Sequence, residues 1–216
     1  MAYDKAIDSA KLEQDLTAVA DAIRASTGTE EPLEFPRGYV GAVQNTITLR
    51  DYLEGKIINY VDNVTTTLGL IYAWANNQII NSVKMTALQR IMYGTFSGCK
   101  AIESFYFPSL TQVDGYAFAN CQKLTRLNLH NTTKIDGTNV FYGCAKLECL
   151  VIESETLCTL VNATNQFTNA PIAKGTGYIY VPAALVDEYK AATNWSAYAS
   201  QFRAIEDYPE VLEGWE

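Results

Sequence analysis

Between residues 96 and 155 the apolar positions follow neither a helical rhythm nor plain alternation. They follow a repeated phrase, Phe-x-x-Cys-x-x-Leu-x-x-Leu-x-Leu, then a Thr-containing turn and an Ile or Val five or six places before the next Phe. The first copy runs Phe96, Cys99, Ile102, Phe105, Phe107, Val113; the second Phe118, Cys121, Leu124, Leu127, Leu129, Ile135; the third Phe141, Cys144, Leu147, Leu150, Ile152. The cysteines are 22 and then 23 residues apart. Upstream, Trp74, Ile80, Val83, Met85 and Ile91 fit the same frame with Asn77 in the cysteine place, so about four coils are expected over residues 63–155. A period of this length carrying Leu-x-x-Leu-x-Leu predicts a solenoid in which each coil adds a short parallel strand. One coil cannot bury its own apolar positions. Stacked coils bury them as ladders of like on like, which predicts Phe96, Phe118 and Phe141 stacked in the core of a right-handed solenoid.

The flanks carry other rhythms. Leu12, Leu16, Val19, Ala20 and Ile23 fall on one helical face ended by Gly28, Val40, Val43 and Ile47 suggest a short second helix, and Leu49, Leu53, Ile57, Tyr60 and Val61 a third stripe. After the repeats, Tyr178-Ile-Tyr-Val reads as a last strand. Pro182 suits the first turn of a helix carrying Leu185, Val186 and Tyr189, and Trp195, Tyr198 and Phe202 add an aromatic face. The expected organisation is α+β: N-terminal helices over residues 1–62, a leucine-rich-repeat solenoid over 63–175 and a C-terminal strand-helix cap over 176–216.

Composition narrows the function classes. The 216 residues are 48% hydrophobic and 19% charged, an ordinary globular balance, and no apolar run approaches the roughly 18 residues of a membrane span. No membrane insertion is expected. The net charge of −8, with acids gathered at both ends and a balanced middle, would repel a phosphate backbone and makes nucleic acid a poor partner. The opening residues lack the apolar core of a secretory signal, so synthesis in the bacterial cytoplasm is expected.

The repeat, together with Leu110-Thr-Gln-Val-Asp-Gly-Tyr-Ala-Phe118, resembles the leucine-rich repeat of bacterial surface antigens of the BspA-like type. The segment from Gly175 to Glu206 resembles the piece that closes such repeats in gut Firmicutes and their phages. The stretch Ala20-Asp-Ala-Ile-Arg-Ala-Ser-Thr-Gly28, followed by Pro-Leu-Glu-Phe-Pro-Arg-Gly-Tyr, is similar to the opening of prophage tail and baseplate proteins. The resemblance implies a non-enzymatic virion structural protein located in the phage tail. Residues 1–62 would attach it to other tail proteins and the repeats would meet a host cell-surface glycan or protein, in a homo-oligomer with a trimer as the guess. The alternative is a bacterial surface adhesin of the same repeat type.

Candidate chemistry is sparse. Cys99, Cys121 and Cys144 should stack as buried thiols, since the Cys144 to Cys149 spacing does not suit zinc and no histidine assists. His130, the single histidine, reads as a surface corner residue, and Glu153 with Glu155 as solvated carboxylates; neither Gly-x-Ser-x-Gly, His-Glu-x-x-His nor a phosphate-binding loop is present. No catalytic residue, metal or cofactor is expected. The strand face differs, because alternate positions of each strand point outward in two rows: Ser82, Ser104, Arg126 and Cys149 in one, Lys84, Tyr106, Asn128 and Val151 in the other. Lys84, Tyr106, Arg126 and Asn128 are the candidate ligand-binding residues, with Tyr106 and Arg126 as anchors. A solvated face without a ligand is the competing reading.

Overall fold

The computed structural model describes residues 58–62, 66–68, 74–78 and 80–215. The helical stripes expected before residue 58, and most of the attachment segment 1–62, lie outside them. The described chain winds through three sheets, and every strand pairing in them is parallel. One sheet orders β1 (Ile58–Asp62), β3 (Ile80–Met85) and β5 (Ser104–Tyr106). A second orders β7 (Arg126–Asn128), β9 (Cys149–Val151), β11 (Tyr178–Val181) and β12 (Phe202–Ala204), with β7 lying beside β5. The third, on the other side of the coils, runs β2 (Thr67–Leu68), β4 (Arg90–Ile91), β6 (Gln112–Asp114), β8 (Lys134–Asp136) and β10 (Thr159–Leu160).

Between the sheets lie the ladders that the repeat predicts. Phe96, Phe118 and Phe141 are fully buried and stack at 6.0 and 5.9 Å between ring centroids, with planes 9° and 4° apart. The ladder then takes a fourth ring, Phe167, at 5.0 Å and 9°. Each buried ring contributes roughly 1.5–3 kcal/mol over its exposed state, and offset stacking adds to that. Beside the rings, each cysteine thiol donates to the carbonyl of an aromatic residue one coil back: Cys99 to Trp74, Cys121 to Phe96 and Cys144 to Phe118. The thiol thus fills space and satisfies a buried carbonyl.

A third ladder sets the turn. Asn76, Gly98, Asn120, Gly143 and Asn169 all take positive φ, between 59° and 75°, where glycine and asparagine are the least strained residues. They alternate for a steric reason. A Cβ on Gly98 would lie 2.3 Å from Asn76 Oδ1, and one on Gly143 2.2 Å from Asn120 Oδ1. Each asparagine amide therefore occupies the space where the next coil would carry a side chain.

At the N-terminal edge the structure corrects one expectation. Tyr60 and Val61, read as the end of a third helical stripe, lie in β1, which pairs in parallel with β3 from Asn59 opposite Ser82 to Asp62 opposite Met85. The open backbone groups of β3 are satisfied by a strand, which a helix could not do. At the other edge the ladder runs on through β11 and β12, with a short helix α1 (Pro171–Lys174) before them and α2 (Val186–Ala191) between them. Pro182 precedes a 3-10 turn (Ala183–Leu185) that leads into α2, and Phe202 sits on a strand. This C-terminal segment satisfies the last coil with side chains: Cys158 N–H donates to the Tyr189 hydroxyl, Trp195 Nε1 donates to Cys158 O, and Asn194 Nδ2 donates to the carbonyls of Leu160 and Val161. The polar groups around β10, the edge strand of the third sheet, thereby meet a partner.

Candidate functional site

The two outward rows exist in the expected register: Ser82 faces Ser104, Lys84 faces Tyr106, Arg126 faces Cys149 and Asn128 faces Val151. Their surroundings divide them into two halves. On β3 and β5, Lys84 and Tyr106 are half-buried and Ser104 is exposed, with Val61 of β1 open beside them. The Lys84 ammonium stands 4.9 Å from the Tyr106 ring centroid, and the His130 ring meets that ring edge-on at 5.4 Å. Tyr106 is thus held between neighbours from the coils on either side.

On β7 and β9 the tail covers part of the face, which corrects the expectation for Asn128 and Val151, both buried, and leaves Arg126 and Cys149 half-buried against it. Asn128 is 1% exposed: its Nδ2 donates to Glu153 Oε1 and its Oδ1 accepts the His130 backbone N–H. The amide is consumed in holding a corner, where His130 takes a positive φ of 44°. The reading of His130 as a surface residue is corrected too, because its side chain is 14% exposed and its Nδ1 lies 3.0 Å from Glu153 Oε1. Burial pushes its pKa down against the opposing pull of Glu153, so the ring is neutral at physiological pH with Nδ1 donating. Glu153 is accordingly a structural acceptor for both side chains.

Val151 is fully buried beneath the C-terminal tail, where it clusters with Ile205 and Val211, with Cys149, Tyr180 and Trp215 packed around them. Arg126 is the clasp. Its Nη2 donates to the carbonyls of Val211 (2.7 Å) and Glu213 (2.9 Å), and its guanidinium lies 4.0 Å from the Trp215 ring centroid. Trp215 Nε1 also donates to Val211 O, which closes the tail on itself. Of the four candidate residues, the structure therefore leaves Lys84 and Tyr106 on an open surface, assigns Arg126 to an internal contact and buries Asn128. The tail supplies contacts that the row pattern did not anticipate.

The thiols offer no nucleophile at neutral pH. Burial pushes Cys99 and Cys149 up to about 11, Cys144 and Cys158 up to about 12, and Cys121 well above the ordinary value. Among the described residues no group of three His, Cys, Asp or Glu side chains stands ready to hold a metal ion, and no helix is long and apolar enough to cross a membrane.

No curated protein matches the chain in sequence. Repeats of the BspA type fit a surface adhesin or a binding protein. Residues 71–174 match the family model described as BspA type leucine rich repeat region in six copies, and the parallel ladder between the three sheets is the structure of those repeats.

Proposed function

We propose that this chain is a non-enzymatic recognition protein that binds a cell-surface ligand through the open half of its strand face, at Ser104, Lys84 and Tyr106. The observation that carries this reading is the division of the face: its own tail covers β7 and β9, while β3 and β5 present an ammonium, a phenol and a hydroxyl in register. Side chains held by a ladder on both sides lose little freedom on binding, which favours recognition. The setting we favour is a phage tail or baseplate, with the residues before β1, 1–57, as the attachment and oligomerisation segment, on the strength of the resemblance of residues 20–28. The BspA-type repeats equally support an adhesin on a bacterial surface. Fluorescently labelled protein should bind whole Firmicutes cells, and Lys84→Ala with Tyr106→Ala should abolish that binding while circular dichroism stays unchanged. Undiminished binding by this double variant would overturn the assignment. Probing virion and cell-envelope fractions with an antibody separates the two settings.

A further inference from the structure

The third sheet carries an aromatic pair that the strand-face reading does not use. Tyr93, just after β4, is 38% exposed, and its ring lies 5.2 Å from that of Tyr116, just after β6, with planes 43° apart. Tyr93 rests on Gly115: a Cβ there would lie 3.2 Å from Tyr93 Cε2. Tyr116 has the least expected backbone in the repeats. The corresponding positions in the other coils are Gly94, Asn139 and Asn165, all at positive φ, and Tyr116 takes φ 57° among them. A bulky residue in the left-handed region is strained, and such strain concentrates where a side chain is needed for contact.

Polar groups lie on β4 and β6, the strands that lead into the pair. Arg90 grips Asp114 with both Nε and Nη2, the shortest contact being 2.8 Å, and Gln112 Nε2 donates to Asp114 Oδ1 at 2.9 Å. Arg90 keeps 44% of its side chain exposed. The backbone at this turn is already spent on the neighbouring coils, since Gly94 N–H donates to Gly115 O and Tyr116 N–H to Thr138 O. A peptide strand therefore finds no ladder to extend here, and recognition falls to side chains.

We infer that Tyr93 and Tyr116 form a saccharide-binding platform for a neutral sugar chain. The C–H face of a pyranose is apolar and stacks on an aromatic ring, while its hydroxyls need mixed donors and acceptors at the rim. The Tyr116 phenol, an exposed guanidinium edge and the Gln112 carboxamide supply that mixture, and the Arg90–Asp114 pairing cancels charge and so favours an uncharged ligand. This site lies on the opposite sheet from Lys84 and Tyr106 and does not depend on the strand-face assignment.

The test is an NMR titration of the full chain with cellohexaose, chitohexaose and mannohexaose, following the ring resonances of Tyr93 and Tyr116. At least one probe should shift both. Tyr116→Gly should weaken binding about tenfold or more while leaving the melting temperature unchanged or raised, because glycine relieves the backbone strain. Tyr93→Phe should retain most of the affinity, and Lys84→Ala with Tyr106→Ala all of it. Failure of all three sugars to bind at millimolar concentration would overturn the inference. So would binding indifferent to Tyr116→Gly and Tyr93→Ala, or decaproline shifting the same rings where no sugar does.

Discussion

The repeats and the C-terminal segment share one parallel ladder, yet they hold it in opposite ways. In the coils each contact recurs: ring on ring from Phe96 to Phe167, thiol to carbonyl from Cys99 to Cys144, amide over glycine at Gly98 and Gly143. In the C-terminal segment the strand pairing continues, but the side-chain contacts do not recur. Tyr189 and Trp195 each make one bond to the last coil and Asn194 two, and Arg126 reaches across 85 residues to the tail. Translation stabilises the interior, where every coil offers the next the same surface. An end has no next coil, so its open polar groups need individual partners. Interior variants should therefore fail by shape, and end variants by lost hydrogen bonds.

The sharpest way to break the comparison is Phe118→Ala. Removing a ring stacked on both sides leaves a cavity inside the ladder and should cost about 3–5 kcal/mol in urea unfolding. A loss under 1 kcal/mol would mean that the coils do not depend on like-on-like packing. Next, Gly143→Ala should cost about 2 kcal/mol, from the left-handed backbone and the overlap with Asn120 Oδ1. Adding Asn120→Gly should recover part of that loss, which a purely backbone effect would not allow.

The thiols come third. Their folded pKa values stand above the unfolded ones, so their contribution is full below the unfolded thiol value near pH 9 and is lost as pH rises toward about 12. The loss is about 1.4 kcal/mol per pH unit for a thiol such as Cys144. Alkaline unfolding midpoints of the wild type and Cys144→Ala check this, and the variant should show the shallower pH dependence. At the end of the array, Trp195→Phe deletes the bond to Cys158 O and part of a buried ring packed on Tyr189 and Phe202, for roughly 1–2 kcal/mol by thermal unfolding. The smallest effect belongs to Arg126→Ala. Stability should fall by roughly 0.5 kcal/mol, while amide exchange at Val211 and Glu213 quickens, because the tail loses its clasp and the coils keep their ladders.

The repeat was legible because its signal is an interval: Phe96, Phe118 and Phe141 with their cysteines name the ladder without any long-range knowledge. Phe167 escaped because its coil is longer and carries Ala170 where the others have cysteine. Alternation within a strand likewise placed Arg126, Cys149, Asn128 and Val151 on the outward rows. It could not say what lies on top of them, since the tail that covers Val151 arrives from the far end of the sequence. Asn128 was lost to a local cause, the left-handed corner at His130, which draws the amide inward. Lys84 and Tyr106 stay half-buried, while the tail packs on Arg126 of β7 and Val151 of β9. The Tyr93–Tyr116 pair was missed because its distinguishing mark is a backbone angle, visible in sequence only as a tyrosine where neighbouring coils carry glycine or asparagine.

The alternation of asparagine and glycine also limits how such an array changes length. Deleting the coil that carries Gly98 would set Asn120 directly after Asn76, with a side chain where the amide oxygen already sits. Duplicating the coil of Asn120 would create the same collision, whereas copying or removing two adjacent coils keeps every amide facing a glycine. The heritable building block is therefore a pair of coils, and an engineer lengthening this protein should insert coils by twos.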